Sequence, residues 1–138
     1  MIVNIRPRIS APFGTIDFMH KTPHTGLDIA IPEGTPVYAI SDGIISQLTE
    51  YGSQNIGKGV ILGADQHTQV IYGHLSRFNV HEGDHVRAGD LIAFSGNTGR
   101  SSAPHLHLAL KHDGHFQDPS IFADAALEPI KKARGVGG

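Results

Sequence analysis

Glycine and proline recur through roughly the first hundred residues of this chain, which has 138 residues with 17 Gly and 8 Pro. Both residues interrupt regular structure, so they divide the chain into short pieces. Between them stand apolar runs rich in β-branched residues, at positions 37–40, 43–45, 60–62, 69–72, 91–94 and 106–110. Short strands separated by turn signals are typical of all-β domains. We therefore predict an all-β fold, an antiparallel sheet or sandwich with little helix.

Local signals refine this prediction. The polar segment 65–68 is expected to form the tip of a hairpin, and Asp113-Gly114 the tip of another between His112 and His115. A short helix is predicted over 119–126, with Asp118 as its N-cap and Pro119 at its first position. We expect a single domain over 1–138, with its core at about 11–119 and a tail at 127–138.

Charge argues against nucleic acid and membrane partners. The formal net charge is −2, and no stretch concentrates Lys and Arg. Electrostatic capture of nucleic acid or of an anionic membrane therefore has no support. No apolar run approaches the roughly 20 residues that a membrane-spanning helix needs, so membrane insertion is not expected.

The sequence contains no Cys but has ten His. Disulfides, thiolate metal sites and a cysteine nucleophile are excluded. Histidine and carboxylate side chains are then the remaining strong ligands for a transition metal. This composition alone does not separate metal ligands from scattered surface histidines.

Three segments carry candidate chemistry. His24 and Asp28 are four residues apart, so in an extended chain they share one face. In the segment 105–110, alternation places Leu106, Leu108 and Leu110 towards the core and His105, His107 and Ala109 on the other face. His74 lies at the predicted end of a hairpin strand. His24, Asp28 and one of His105 or His107 would supply three ligands, leaving a fourth position for water, as in catalytic zinc sites.

These residues resemble the lysostaphin-type (LytM or M23) zinc metallopeptidases. The similarity rests on His24-x-x-x-Asp28, Gly73-His74-Leu75, and Gly96-Asn97-Thr98-Gly99 leading to His105-Leu106-His107, in the order of the family. The segment 86–93 is also typical, and the motifs span roughly residues 11–119. The resemblance implies a groove over the sheet that holds the metal, with flanking loops, here 48–58 and 112–117, that select the peptide.

The same resemblance implies a role for each residue. His24, Asp28 and His107 would bind one Zn²⁺. His105 would act as a general base, and His74 would orient the water or stabilise the charged intermediate. The implied activity is that of an endopeptidase acting on cross-bridges or stem peptides of bacterial peptidoglycan.

Other interpretations come from different classes of protein. One alternative is a non-catalytic module of the same fold that binds peptidoglycan or a protein partner, which the loss of a ligand would favour. A biotinyl or lipoyl carrier needs an exposed Lys at a turn, and a D,D-carboxypeptidase of the other zinc type pairs Glu with Trp-His; neither pattern is present. His81 and His85 flank a turn that offers a second metal site, although exposed turn residues are the expected interpretation.

The expected location is the cell wall, extracellular or periplasmic. The first eight residues lack the long apolar core of a secretion signal. A phage lysin or virion component, or a piece of a larger secreted polypeptide, would account for this.

Overall fold

The computed structural model describes residues 8–11, 26–50, 56–99 and 103–127. Within these ranges ten strands form one sheet in which every pairing is antiparallel. The strands are β1 (Arg8–Ala11), β2 (Leu27–Ala30), β3 (Pro36–Tyr38), β4 (Gly43–Glu50), β5 (Lys58–Gly63), β6 (Thr68–Phe78), β7 (His85–Val86), β8 (Leu91–Ser95), β9 (Leu106–His112) and β10 (His115–Gln117). The prediction of an all-β, antiparallel fold with little helix is confirmed.

Strand β6 organises the sheet. The main strand order is β1-β2-β9-β6-β5-β4-β7, while β10 pairs with β9, and β8 pairs with both β3 and β6. The first part of β6, up to Gly73, pairs with β9, and the part from Leu75 onwards pairs with β8. The sequence predicted that this strand ends around His74, but it continues to Phe78, with β8 as its neighbour from Leu75 onwards.

A row of apolar residues crosses the sheet and forms part of the core. The register pairs Leu27 with Leu108, Leu108 with Tyr72, Tyr72 with Val60, and Val60 with Leu48. The first four of these residues are at most 1% exposed. Cross-strand contacts of this kind, together with the removal of apolar area from water, stabilise the sheet.

The Tyr72 hydroxyl is buried within this row. It accepts a hydrogen bond from the backbone N–H of Ile40 at 3.0 Å. Burial raises the pKa of Tyr72 far above its usual range, so the phenol stays neutral. The hydrogen bond satisfies a polar group inside the core and ties the segment after β3 to β6.

The turns and the helical segment lie close to the positions predicted from the sequence. The Asp65 carboxylate accepts hydrogen bonds from the N–H groups of His67 and Thr68, which confirms the predicted hairpin tip at 65–68. A 3₁₀ turn at Ser120–Phe122 leads into the helix α1 (Ala123–Leu127). The helical segment begins one residue later than predicted, because Pro119 occupies the cap position. Asp118 still accepts a hydrogen bond from Ser120 N–H at 2.9 Å.

The two segments predicted as loops, 48–58 and 112–117, are partly strand. Positions 48–50 belong to β4 and position 58 opens β5, whereas 51–55 lie outside the described residues. His112 ends β9 and 115–117 form β10, with Asp113-Gly114 as the predicted hairpin tip. Of the predicted tail, 127–138, Leu127 ends α1, and residues 128–138 lie outside the described ranges. Among the described residues, no helix combines the length and apolarity needed to cross a membrane.

Candidate metal centre

The candidate site lies on the sheet face opposite to the buried row. Asp28 of β2 pairs directly with His107 of β9, and His107 pairs with Gly73 of β6. Each of these positions is one residue away from a member of the buried row. Because side chains alternate along a strand, Asp28 and His107 project from the other face. The alternation predicted for 105–110 therefore holds for Leu106 and Leu108, which are fully buried.

Four of the five predicted site residues come together. Asp28 Oδ1 is 2.9 Å from His107 Nδ1 and 3.6 Å from His105 Nε2. The His74 ring centroid lies 4.5 Å from that of His105 and 6.0 Å from that of His107. The side chains of Asp28, His105 and His107 are only 14–16% exposed. The fifth residue, His24, lies outside the described residues.

The donor set fits a zinc ion in part. Two ligands at 2.0–2.2 Å from a tetrahedral ion are about 3.3 Å apart, and the two candidate ligands Asp28 Oδ1 and His107 Nδ1, at 2.9 Å, are close to this separation. Carboxylate oxygen and imidazole nitrogen are both zinc ligands. Within the described ranges, however, no group of three His, Asp or Glu side chains is arranged to hold a metal ion. A complete set needs a further donor beside Asp28 and His107.

Hydrogen bonds to backbone carbonyls orient two of the imidazoles. His105 Nδ1 lies 2.7 Å from the carbonyl oxygen of Ala103, and His74 Nδ1 lies 2.6 Å from that of Thr98. A carbonyl oxygen can only accept, so Nδ1 carries the proton in both rings. When these rings are neutral, Nε2 is therefore their basic nitrogen. His107 is oriented differently, since it presents Nδ1 to Asp28.

His74 occupies a bulge in β6. Lys58 pairs with Leu75 and Val60 with Tyr72, so two residues of β6 stand opposite one residue of β5. The backbone of His74 has φ 60°, and its N–H donates to the Ile56 carbonyl at 2.7 Å. Bulges redirect side chains, and left-handed backbone at a residue other than glycine is a form of strain found at functional sites. The sequence predicted His74 at a strand end, but it lies where β6 changes neighbours.

The environment favours the neutral form of His74. Burial is the largest cause that lowers the pKa of His74, and nearby His105 and His107 lower it further. The hydrogen bond to Thr98 and the charge of Asp28 act in the opposite direction, but they do not outweigh these effects. The imidazole is therefore held as a neutral ring at neutral pH.

Glycines make room for the His107 ring. A Cβ atom on Gly26 would lie 2.6 Å from Cε1 and 2.7 Å from Nε2 of His107. One on Gly73 would lie 2.8 Å from Ile56 and 3.3 Å from Cβ of His107. The role of Gly26 was not predicted, because the sequence does not show which side chain lies against this glycine. The carbonyls of Thr98 and Ala103 left no sequence signal, since every residue has one.

A cleft of about 900 Å³ lies elsewhere, at the end of β5 that is remote from Lys58. Its lining includes the carboxylates of Asp42, Asp65 and Asp90, and each accepts a backbone N–H from a nearby segment. None of the predicted site residues within the described ranges lines this cleft. Cavity size therefore does not locate the chemistry, and the cluster of His and Asp side chains does.

The turn at 81–85 is a structural turn. The Asp84 carboxylate accepts the backbone N–H of His81 at 2.8 Å. The His81 side chain is 92% exposed, and its Nδ1 is 4.0 Å from Asp84. The interpretation of these histidines as exposed turn residues is supported over a second metal site.

An antiparallel sheet that gathers one carboxylate and three imidazoles at a partly buried point carries the donor types of a metal-dependent hydrolase site. The model of peptidase family M23 matches residues 22–119. The chain belongs to peptidase family M23, as its resemblance to lysostaphin-type enzymes indicated.

Individual relatives agree with this assignment. The chain is 41% identical over 123 residues to the DD-carboxypeptidase/endopeptidase Mpg of Neisseria meningitidis serogroup B, covering 84% of this chain and 28% of that protein. It is 40% identical over 88 residues to the peptidoglycan DD-endopeptidase ShyA of Vibrio cholerae, covering 64% of this chain and 20% of that protein. The solved catalytic domain of lysostaphin from Staphylococcus simulans is 34% identical, with a TM-score of 0.74, and the match covers 86% of this chain and 92% of that domain. The chain thus spans less than a third of the length of these two curated relatives.

Proposed function

We propose that this domain is a zinc-dependent endopeptidase that hydrolyses cross-bridges or stem peptides of bacterial peptidoglycan. The observation that carries the proposal is the convergence of Asp28, His107, His105 and His74 on one face of the sheet. Membership of family M23 supports the peptidase activity. The similarity to a peptidoglycan DD-endopeptidase supports the substrate.

His24, Asp28 and His107 would hold the zinc ion. The chemistry that a zinc ion held by these residues would supply is a lower pKa of a coordinated water, towards about 7, and polarisation of the scissile carbonyl. The Asp28 carboxylate and the His107 imidazole supply hard and borderline donors suited to zinc. His24 is assigned from the sequence motif, since it lies outside the described residues.

His105 is the proposed general base. Its Nδ1–H donates to the Ala103 carbonyl, so Nε2 is the atom that takes a proton from the attacking water. The same nitrogen then delivers the proton to the departing amine. A neutral imidazole is a suitable proton acceptor near neutral pH because its usual pKa is about 6.5.

His74 is proposed to orient the attacking water. Burial favours its neutral form, in which Nε2 accepts a hydrogen bond. Stabilising an oxyanion would require a proton on Nε2, which the neutral ring lacks when its Nδ1–H donates to the Thr98 carbonyl. We therefore assign His74 to orientation rather than to charge stabilisation.

The proposed place of action is the cell wall, extracellular or periplasmic, with peptidoglycan peptides as partners. Assembly into a virion or into a larger polypeptide stays a prediction. Neither a nucleic acid nor a membrane is among the proposed partners, in line with the net charge of −2.

The test is digestion of purified peptidoglycans of different cross-bridge chemistry by the zinc-loaded protein. His105→Ala should retain one zinc and lose about 10²- to 10⁴-fold in turnover, because general-base catalysis contributes that much. His107→Ala should lose the metal. His81→Ala is the matched control, since that side chain is 92% exposed in a turn. New free amines are identified by mass spectrometry, and bound zinc is measured by elemental analysis.

Two outcomes would change the proposal. Release of zinc by His105→Ala, with retention by His107→Ala, would exchange the roles of the two histidines. Binding to walls without any release of amines, despite one bound zinc, would favour a non-catalytic peptidoglycan-binding module of this fold.

A further inference from the structure

We propose that Thr98 is a positioning residue whose hydroxyl group fixes the orientation of the His74 imidazole. Thr98 lies in the connection between β8 and β9, and its carbonyl oxygen accepts the His74 Nδ1–H at 2.6 Å. The carbonyl itself belongs to the backbone, so its position depends on what holds residue 98 in place. The inference deepens the proposed function, on which its catalytic part rests.

The Thr98 hydroxyl makes two hydrogen bonds that anchor this segment. Oγ1 donates to the Leu75 carbonyl at 2.6 Å and accepts the Lys58 N–H at 3.1 Å. Leu75 follows His74 on β6, and Lys58 opens β5. The hydroxyl therefore connects the residue that holds the imidazole to both strands of the bulge.

A glycine lies directly against the backbone of residues 98 and 99. Gly57 has φ 65°, and a Cβ atom there would lie 2.4 Å from Gly99 N and 2.5 Å from the Thr98 carbonyl carbon. Its neighbour Ile56 accepts the backbone N–H of His74 at 2.7 Å. The backbone and the ring of His74 are thus held from the same two segments, 56–58 and 98–99.

The consequence concerns the tautomer of His74. While the Thr98 carbonyl oxygen accepts a hydrogen bond from Nδ1–H, the proton of the neutral ring is on Nδ1. Nε2 is then the nitrogen that accepts a hydrogen bond during the reaction. If the carbonyl moves away, the ring is released to rotate and to place its proton on Nε2, which removes the acceptor. Misplacement of a catalytic group by about 1 Å can cost about 100-fold in rate.

The experiment compares Thr98→Val, which removes the hydroxyl at nearly constant volume, with Thr98→Ser, which keeps it. Thr68→Val is the matched control, because the Thr68 hydroxyl bonds His112 Nδ1 at 2.9 Å near the 65–68 hairpin tip and makes no hydrogen bond to segments 56–58 or 98–99. Long-range ¹H–¹⁵N correlation NMR identifies the His74 tautomer with and without zinc. Steady-state kinetics on peptidoglycan fragments separate kcat from KM.

We expect Nδ1–H in the wild type, in Thr98→Ser and in Thr68→Val, and a loss of that tautomer in Thr98→Val. The kcat of Thr98→Val should fall about 10- to 100-fold with KM little changed, and Thr98→Ser should recover most of it. If Thr98→Val does not fold, Thr98→Ala removes the same hydroxyl with less demand on packing.

Retention of the Nδ1–H tautomer with unchanged kcat in both the Val and Ala variants would overturn the proposal. The tautomer measurement is independent of activity. If the wild type cleaved no peptidoglycan, the proposed function would fail, whereas the NMR comparison would still decide whether Thr98 positions His74.

Discussion

At the scale of single residues, the site depends on two glycines as well as on its histidines and its carboxylate. His107 stands between Gly26 and Gly73, and neither glycine has room for a Cβ beside its neighbours. Asp28 then meets His107 Nδ1 at 2.9 Å across the β2–β9 pairing. Two glycines and one carboxylate therefore constrain the position of this imidazole.

Gly26→Ala tests this arrangement. The added methyl group would lie 2.6 Å from the His107 ring and 2.8 Å from the Leu108 carbonyl, so the ring must move. We expect zinc affinity to fall about 10- to 100-fold, the range found when groups that orient a ligand are altered. Competition with a chromogenic chelator measures the dissociation constant.

Gly63→Ala is the control for Gly26→Ala. A Cβ atom there would meet only the Ile44 carbonyl at an ordinary 3.6 Å, so zinc affinity should not change. Equal zinc affinities in both variants would show that Gly26 does not constrain His107.

At the scale of elements, β6 combines a structural and a functional task. Its first part pairs with β9 and its later part with β8, and the bulge at His74 joins the two. The left-handed backbone of His74 costs about 1–2 kcal/mol relative to ordinary backbone for a residue with a Cβ. The bulge therefore lowers the stability of the folded protein, and it directs the His74 imidazole towards His105 and His107.

A pair of substitutions isolates this cost. His74→Gly and His74→Ala both remove the imidazole, but only glycine adopts positive φ without strain. We expect His74→Gly to be about 1 kcal/mol more stable than His74→Ala, after allowance for the greater freedom of glycine in the unfolded chain. Urea unfolding followed by circular dichroism measures the difference.

The same pair at Asn79 serves as the reference for His74. Asn79 is exposed and its φ is not positive, so Ala should be at least as stable as Gly there. An identical order of stabilities at positions 74 and 79 would rule out backbone strain as the cause.

At the scale of the whole molecule, the core and the site occupy separate faces. The large buried side chains, including Leu27, Leu108 and Tyr72, form a continuous apolar cluster that does not include the site histidines. Stability should therefore come mainly from the core, in contrast to zinc fingers, which unfold without metal.

Metal removal tests this separation. After treatment with EDTA, the protein should keep its β-sheet circular dichroism spectrum and a cooperative unfolding transition. Free zinc at 100 to 1,000 times its dissociation constant should add about 3–4 kcal/mol through binding to the folded state alone. Calorimetric or urea unfolding with and without zinc provides the measurement.

His107→Ala should abolish the stabilisation by zinc while leaving the metal-free protein folded. Loss of the sheet on treatment with EDTA would instead show that the metal is part of the structural framework.

Much of the fold and of the candidate site could be predicted from the sequence. The alternation in 105–110 placed Leu106 and Leu108 in the core, and the sequence motifs singled out Asp28, His74, His105 and His107. Local signals also located the hairpin tip at 65–68 and, within one residue, the helical segment after Asp118.

The bulge and the orienting carbonyls could not be predicted in the same way. A bulge at His74 depends on how β5, β8 and β9 share β6, and this pairing is not encoded in any local pattern. Carbonyl groups such as that of Thr98 occur at every residue, so their role follows only from position.

The sequence by itself determined the chemistry available to this protein: imidazoles and carboxylates without thiols, on strands whose period of two separates core from site. The tertiary structure decided which of these groups meet and which nitrogen each imidazole presents. Asp28 and His107 are 79 positions apart in the chain, and the register of β2 with β9 brings them to 2.9 Å. Long-range pairing is a property of the whole sheet, because a shift of one residue would turn every side chain of a strand to the other face.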